Sequence, residues 1–222
     1  MSDLHDKRFP NESAAYRNAR ADLLTQELEL RRTTEKLAAA RRALPRGGAL
    51  KEDYVFEGPN GQIKFSDLFE DGKKDLLLYS FMFNPAHERP CPACTSCMDA
   101  VDGNARYVNE RANFWIAAKA PLPKMDALAK ERGWRHLCYL SSNANSYNAD
   151  YFGETAEGAQ QPMLNVFEKT AEGIFHVWGS ELLYAPDDPG QHSRHIDMMW
   201  PLWNMLDQTR SGRGDFFPSA VF

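Results

Sequence analysis

Two apolar stretches interrupt an otherwise mixed chain. They are Leu76-Leu77-Leu78-Tyr79-Ser80-Phe81-Met82-Phe83 and Asn113-Phe114-Trp115-Ile116-Ala117-Ala118. Neither alternates with polar residues, so each predicts a strand buried on both faces, as central parallel strands are. Around them the pattern is half-apolar. Tyr54-Val55-Phe56-Glu57 and Gln62-Ile63-Lys64-Phe65 flank Gly58-Pro59-Asn60-Gly61, a hairpin signal. Asp99 to Arg111 and Lys124 to Arg132 read as helices and His136 to Leu140 as a short strand. Met163 to Glu168 and Ile174 to Trp178 make a second hairpin through Thr170-Ala171-Glu172-Gly173. Asn143 to Gln161 reads as a long polar loop, and loops of that length are usually functional or mobile. Strands alternating with helices and closed by a hairpin predict an α/β or α+β sheet with helices on it, and the fold expected is α/β with a central mixed sheet flanked by helices.

Ahead of this core, Asn11 to Leu44 carries no Gly or Pro and is rich in Ala, Leu, Glu and Arg. It predicts one long helix ended by Pro45-Arg46-Gly47-Gly48. Tyr16, Leu23, Leu30, Leu37 and Leu44 recur every seven residues, while the companion column Ala19, Gln26, Thr33, Ala40 is too polar for a two-column seam. A single apolar stripe predicts burial against this subunit or a second copy, so a homodimer through the helix is one expectation. The domains expected are a helical extension over 1–48 and a core domain over 49–222 that includes the aromatic tail.

The chain has 222 residues, 43% of them hydrophobic and 12% aromatic, which suits one packed domain with additions. A net charge of −5 offers no basic field for nucleic acid or an anionic membrane. No stretch approaches a membrane span, and Met1 to Arg8 lacks the apolar run of a secretory signal. A cytoplasmic location is the expectation.

Four cysteines in a chain this long are not a disulfide scaffold. Three of them, Cys91, Cys94 and Cys97, fall within seven residues, just past the first buried strand. Dithiol exchange needs a thiolate, a second thiol in bonding reach, and access to a partner disulfide. A C-x-x-C opening a helix provides all three, because unpaired N–H groups and the helix dipole lower the first thiol's pKa. Pro92 suits the first helical turn, which needs no N–H there. His87 and Arg89 can add positive charge. Cys91 is the expected attacking thiol and Cys94 the resolving one. Pairing Cys91 with Cys94 uses the adaptable turn before the helix, whereas Cys94 and Cys97 lie on consecutive helical turns where a disulfide is more strained. Cys97 is then a reserve or spectator thiol, and no cofactor is required.

Spacing alone leaves alternatives. Overlapping C-x-x-C-x-x-C, with His87 upstream and Cys138 elsewhere, can hold Zn²⁺ tetrahedrally, in a binding or assembly module without catalysis. Inert thiols are the third option, and the strand-then-helix context favours redox. Cys138, inside an apolar strand, reads as a buried spectator. His192-Ser193-Arg194-His195 with Asp197 matches no ligand motif, and His136 and His176 read as structural. Phosphate-cradling glycine loops, nucleophile elbows and internal repeats are absent from the sequence.

A buried strand, then C-P-x-C opening a helix, then Gln161-Pro162-Met163 before a late hairpin, resembles the thioredoxin fold. More closely, the chain resembles a bacterial thioredoxin-like family of unknown function, described as predicted dithiol–disulfide oxidoreductases. The resemblance runs through Arg8-Phe9-Pro10-Asn11-Glu12-Ser13, Glu29-Leu30-Arg31-Arg32, Leu44-Pro45-Arg46-Gly47-Gly48, Asp53-Tyr54-Val55-Phe56, Cys91-Pro92-Ala93-Cys94-Thr95-Ser96 and Asp207-Gln208-Thr209-Arg210. It implies redox activity at Cys91 and Cys94. It also implies that Pro162, at the place of a proline commonly cis in that fold, joins Pro92 in shaping a groove for a protein or small-molecule disulfide. There are departures. Pro90 stands where thioredoxin has a tryptophan, and no acid lies within Leu76 to Phe83, where thioredoxin buries an aspartate. The Pro-x-x-x-Thr-x-x-Cys pattern of peroxiredoxins is missing.

Overall fold

The computed structural model describes residues 4–70, 72–191, 199–211 and 214–218. The chain divides into two compact units, Met1–Pro45 and Arg46–Phe222. The first is built on helix α1, Ala14–Arg42. Ser13 caps its start by accepting a hydrogen bond from the Tyr16 amide at 3.1 Å, and Arg41 and Arg42 complement the dipole at its end. The expected stripe is exposed in the single chain, from 44% at Leu23 to 67% at Leu30.

The second unit contains β1 (Val55–Gly58), β2 (Gly61–Lys64), β3 (Asp75–Phe81), α2 (Pro92–Val108), β4 (Asn113–Ala118), α3 (Leu122–Arg132) and β5 (Cys138–Ser141). It continues with α4 (Tyr147–Asp150), β6 (Met163–Thr170), β7 (Gly173–Gly179) and α5 (Pro201–Leu206). Seven strands form one mixed sheet in the order β2-β1-β5-β4-β3-β6-β7. β3 runs parallel to β4 and β4 to β5, while β6 returns antiparallel on the other side of β3 and β7 antiparallel on β6. This is a thioredoxin-like arrangement with an added β1–β2 hairpin at one edge. The two apolar runs are the central strands, as their lack of alternation predicts, and β4 is buried at all six positions.

Alternate residues of each central strand feed different cores, since successive side chains point to opposite faces. Tyr79 and Phe81 of β3, with Phe114, Ile116 and Ala118 of β4, pack with α2, α3 and Trp200. Leu76 and Leu78 of β3, with Trp115 and Ala117 of β4, pack with Tyr54, Phe56, Phe65, Tyr147 and Phe167. Among the described residues no helix is long and apolar enough to cross a membrane.

The stretch expected as a polar loop, Asn143 to Gln161, is corrected by this second core. Its Tyr147 is fully buried on α4, 5.6 Å from both Tyr54 and Phe56 and 5.9 Å from Phe65 between ring centroids. One helical turn is too short to show a 3.6-residue period, so polar neighbours hid a core residue. Gly153 in the same stretch lies against β3, where a Cβ would stand 2.4 Å from Ser80 Oγ. Tail helix α5 begins at Pro201, a residue suited to a first helical turn.

His176 on β7 is structural, as the sequence suggests. Its Nε2 lies 2.9 Å from Asn165 Oδ1, and its ring sits against Tyr151 and Phe167. Burial lowers its pKa below the ordinary 6.5, with Glu181 opposing weakly. The folded state therefore prefers the neutral ring. Its contribution to stability is present above about pH 6.5, the unfolded value, and is lost as pH falls through the folded value. Melting temperature is expected to drop between pH 7.5 and 5, and the drop should be smaller in His176→Gln.

Candidate functional site

β3 ends at Phe81, and the chain returns to it ten residues later. The Cys91 amide donates to Met82 O at 2.9 Å, so the cysteine is held just past the C-terminal end of a central strand. In between, Lys124 of α3 fastens the connecting loop by donating to Pro85 O at 2.7 Å and His87 O at 2.8 Å. Cys91 is then the N-cap of α2, with Pro92 in the first turn. Its carbonyl accepts from both the amide and the hydroxyl of Thr95, each at 3.0 Å. These bonds anchor the backbone on both sides of Cys91, whose half-buried side chain stands at the N-terminus of α2 without capping the helix's first N–H groups.

Cys94 and Cys97 lie deeper, both with 0% exposure, in the core shared with Tyr79, Phe81 and Trp200. None of the four cysteines is in a disulfide. Tyr79 of β3 is as buried as Cys94, and its hydroxyl donates to Cys94 Sγ at 3.6 Å. Behind this turn, Trp200 Nε1 donates to Ser96 Oγ at 3.3 Å, which ties the tail to α2.

Pro162 immediately precedes β6, where Met163 stands opposite Ser80 of β3. That register puts Pro162 at the end of β3 from which the chain leads to Cys91. No peptide bond among the described residues is cis. Arg89 is engaged by Glu131 of α3, with Nη1 2.7 Å from Oε2, and His87 is fixed through its backbone to Asn84 and Lys124. Cys138 belongs to the opposite side of the sheet. It packs with the Tyr54 core while its neighbour Tyr139 packs with the cysteine core. A metal set combining Cys138 with Cys91, Cys94 and Cys97 is therefore ruled out by strand parity. Cys138 is half-buried, and burial first, with Glu70 adding to it, raises its thiol pKa. The His192, Arg194, His195 and Asp197 group lies outside the described residues. His136 serves through its amide, which donates to Asp102 at 2.8 Å.

Tyr79 is the residue that sequence reasoning missed. A search for a buried acid in the strand passes over a tyrosine, which reads as core filler. The available signal was parity, because Tyr79 and Phe81 share the face that α2 covers.

A mixed sheet with a β3–α2–β4 parallel unit, a C-x-x-C opening α2 and an antiparallel β6–β7 pair defines a protein of thioredoxin-like fold. Residues 6–220 match the family described as "Bacterial protein of unknown function (DUF899)", and the chain belongs to that family. No curated protein matches it. Similar solved structures include peroxidoxin BcpB from Mycobacterium tuberculosis, at 19% identity over 56% of this chain and 79% of that one, with a TM-score of 0.43. A PrxQ mutant from Xylella fastidiosa is 11% identical over 61% and 84%, with a TM-score of 0.47. A secreted Mycobacterium tuberculosis disulfide oxidoreductase homologous to Escherichia coli DsbE is 14% identical over 68% and 96%, with a TM-score of 0.40.

Proposed function

We propose that this chain is a thiol–disulfide oxidoreductase acting on a protein or small-molecule disulfide through Cys91 and Cys94. The observation that carries the reading is the pair's asymmetry on one helix. Cys91 is the half-buried N-cap of α2, while Cys94, one turn on, is fully buried. An accessible first thiol at the positive end of a helix is the one a substrate disulfide can reach and the one ionised most readily. Its thiolate attacks one substrate sulfur, the Cys91–substrate bond forms, and the other substrate sulfur leaves with the electron pair. Cys94 then attacks Cys91 and expels the second sulfur. The cysteine pair is thereby oxidised by two electrons and the substrate reduced to two thiols. A thiol donor closes the cycle. Pro162 and Pro92 would shape the groove that receives the substrate.

The test is the linkage formed on oxidation. Mild oxidation followed by peptide mass spectrometry is expected to give a Cys91–Cys94 disulfide. Its reduction potential should lie between about −120 and −270 mV, the span of thioredoxin-fold exchange proteins. A Cys94–Cys97 linkage, or no intramolecular disulfide, would overturn the reading.

A further inference from the structure

We propose that Tyr79 is a positioning residue for the resolving step, its hydroxyl holding Cys94 Sγ as the thiolate that attacks Cys91. This rests on the dithiol reading above. It begins from a difficulty which that reading creates. The resolving sulfur must shed its proton to attack, yet Cys94 has 0% exposure and sits in an apolar core with Phe81, Met98, Ile116 and Trp200. Burial without compensation disfavours the charged thiolate strongly.

The compensation lies on β3. Tyr79 is also 0% exposed, and its hydroxyl donates to Cys94 Sγ at 3.6 Å. A hydrogen bond to an ionised acceptor is roughly twice as strong as one to a neutral acceptor. The contact therefore gains strength as Cys94 ionises and favours the attacking form over the resting one. The strand also fixes its geometry. Tyr79 pairs with Ile116 on one side and Leu164 on the other, in the middle of the sheet, so its ring is held beneath α2. Among the described residues, the other titratable members of this apolar cluster are Cys91 and Cys97 on α2 itself and Tyr139 of β5, whose hydroxyl donates to Asp126 at 2.8 Å; beside the cluster, Asp99 of α2 accepts from Trp134 Nε1 at 2.8 Å and pairs with Arg132. A tyrosine thus stands within reach of the resolving sulfur in a strand that carries no acid between Leu76 and Phe83.

The step balances without a further reagent. Cys94 gives up its proton, the Cys94–Cys91 bond forms, the Cys91–substrate bond breaks, and the proton that Cys94 sheds ends on the departing substrate thiolate. Tyr79 keeps its own.

The experiment uses the full chain in excess over 5,5′-dithiobis(2-nitrobenzoate), followed by stopped-flow absorbance. Attack by Cys91 releases one coloured thiolate, and resolution by Cys94 releases the second. In Tyr79→Phe, which keeps the ring, the first phase should be unchanged. The second should slow about tenfold, the consequence of losing one hydrogen bond to a charged group, with its pH midpoint moved upward. Site-specific 3-fluorotyrosine at position 79 keeps the fold and is a more acidic donor, so it should move the midpoint downward. A second phase unaltered in rate and midpoint by both replacements would overturn the role of Tyr79 while leaving the dithiol reading intact. Unchanged release of the first thiolate in Cys91→Ser would instead overturn both.

Discussion

Replacing Cys91 with Ser is expected to reduce turnover of a disulfide substrate by about a thousandfold or more, to the uncatalysed background. A serine hydroxyl is not ionised near neutral pH, so the helix terminus that favours a thiolate at this position has no anion to stabilise. Cys97→Ser should keep most of the activity. Cys97 is fully buried one turn deeper than Cys94, beyond the adaptable turn before α2. Limiting iodoacetamide should label Cys91 first for the same reasons. A disulfide-reduction assay on the two variants separates the roles. Full activity in Cys91→Ser would reverse the assignment.

Trp200→Ala is expected to carry the largest loss of stability, about 3–5 kcal/mol. The side chain has 0% exposure and fills the core that also holds Cys94 and Cys97. Removing it opens a cavity beside α2 and strips the donor from Ser96 Oγ. Because α2 carries both reactive thiols, the loss should reach the site as well. The expected signs are a lower denaturation midpoint at unchanged slope and faster alkylation of Cys94 in the native protein. A midpoint within experimental error of the parent would mean that the tail does not support the site.

The central architecture was legible because its signals are local and strong. An eight-residue run without polar alternation, Leu76 to Phe83, can only be a buried element, and a C-x-x-C that follows it marks the strand-to-helix turn. Other features depend on tertiary neighbours. Tyr147 could not be read as core, since a four-residue helix leaves no period. Cys138 looked like a possible fourth ligand until strand parity set it on the far face from Cys94. Tyr79 gave no hint of chemistry in the sequence, because a tyrosine in an apolar run is ordinary packing until a sulfur is found beside its hydroxyl. The stripe on α1 was legible as a pattern but not in its surroundings, since periodicity identifies a face and not what covers it.

The central claim is that Cys91 forms the bond with substrate and Cys94 breaks it. Its most direct test is the intact mass of Cys94→Ser after exposure to a disulfide substrate, with the modified peptide then sequenced. The account predicts a stable mixed disulfide in one-to-one ratio, carried by Cys91 and absent from the wild type under the same conditions. An adduct on Cys97 or Cys138, or no adduct at all, would contradict it.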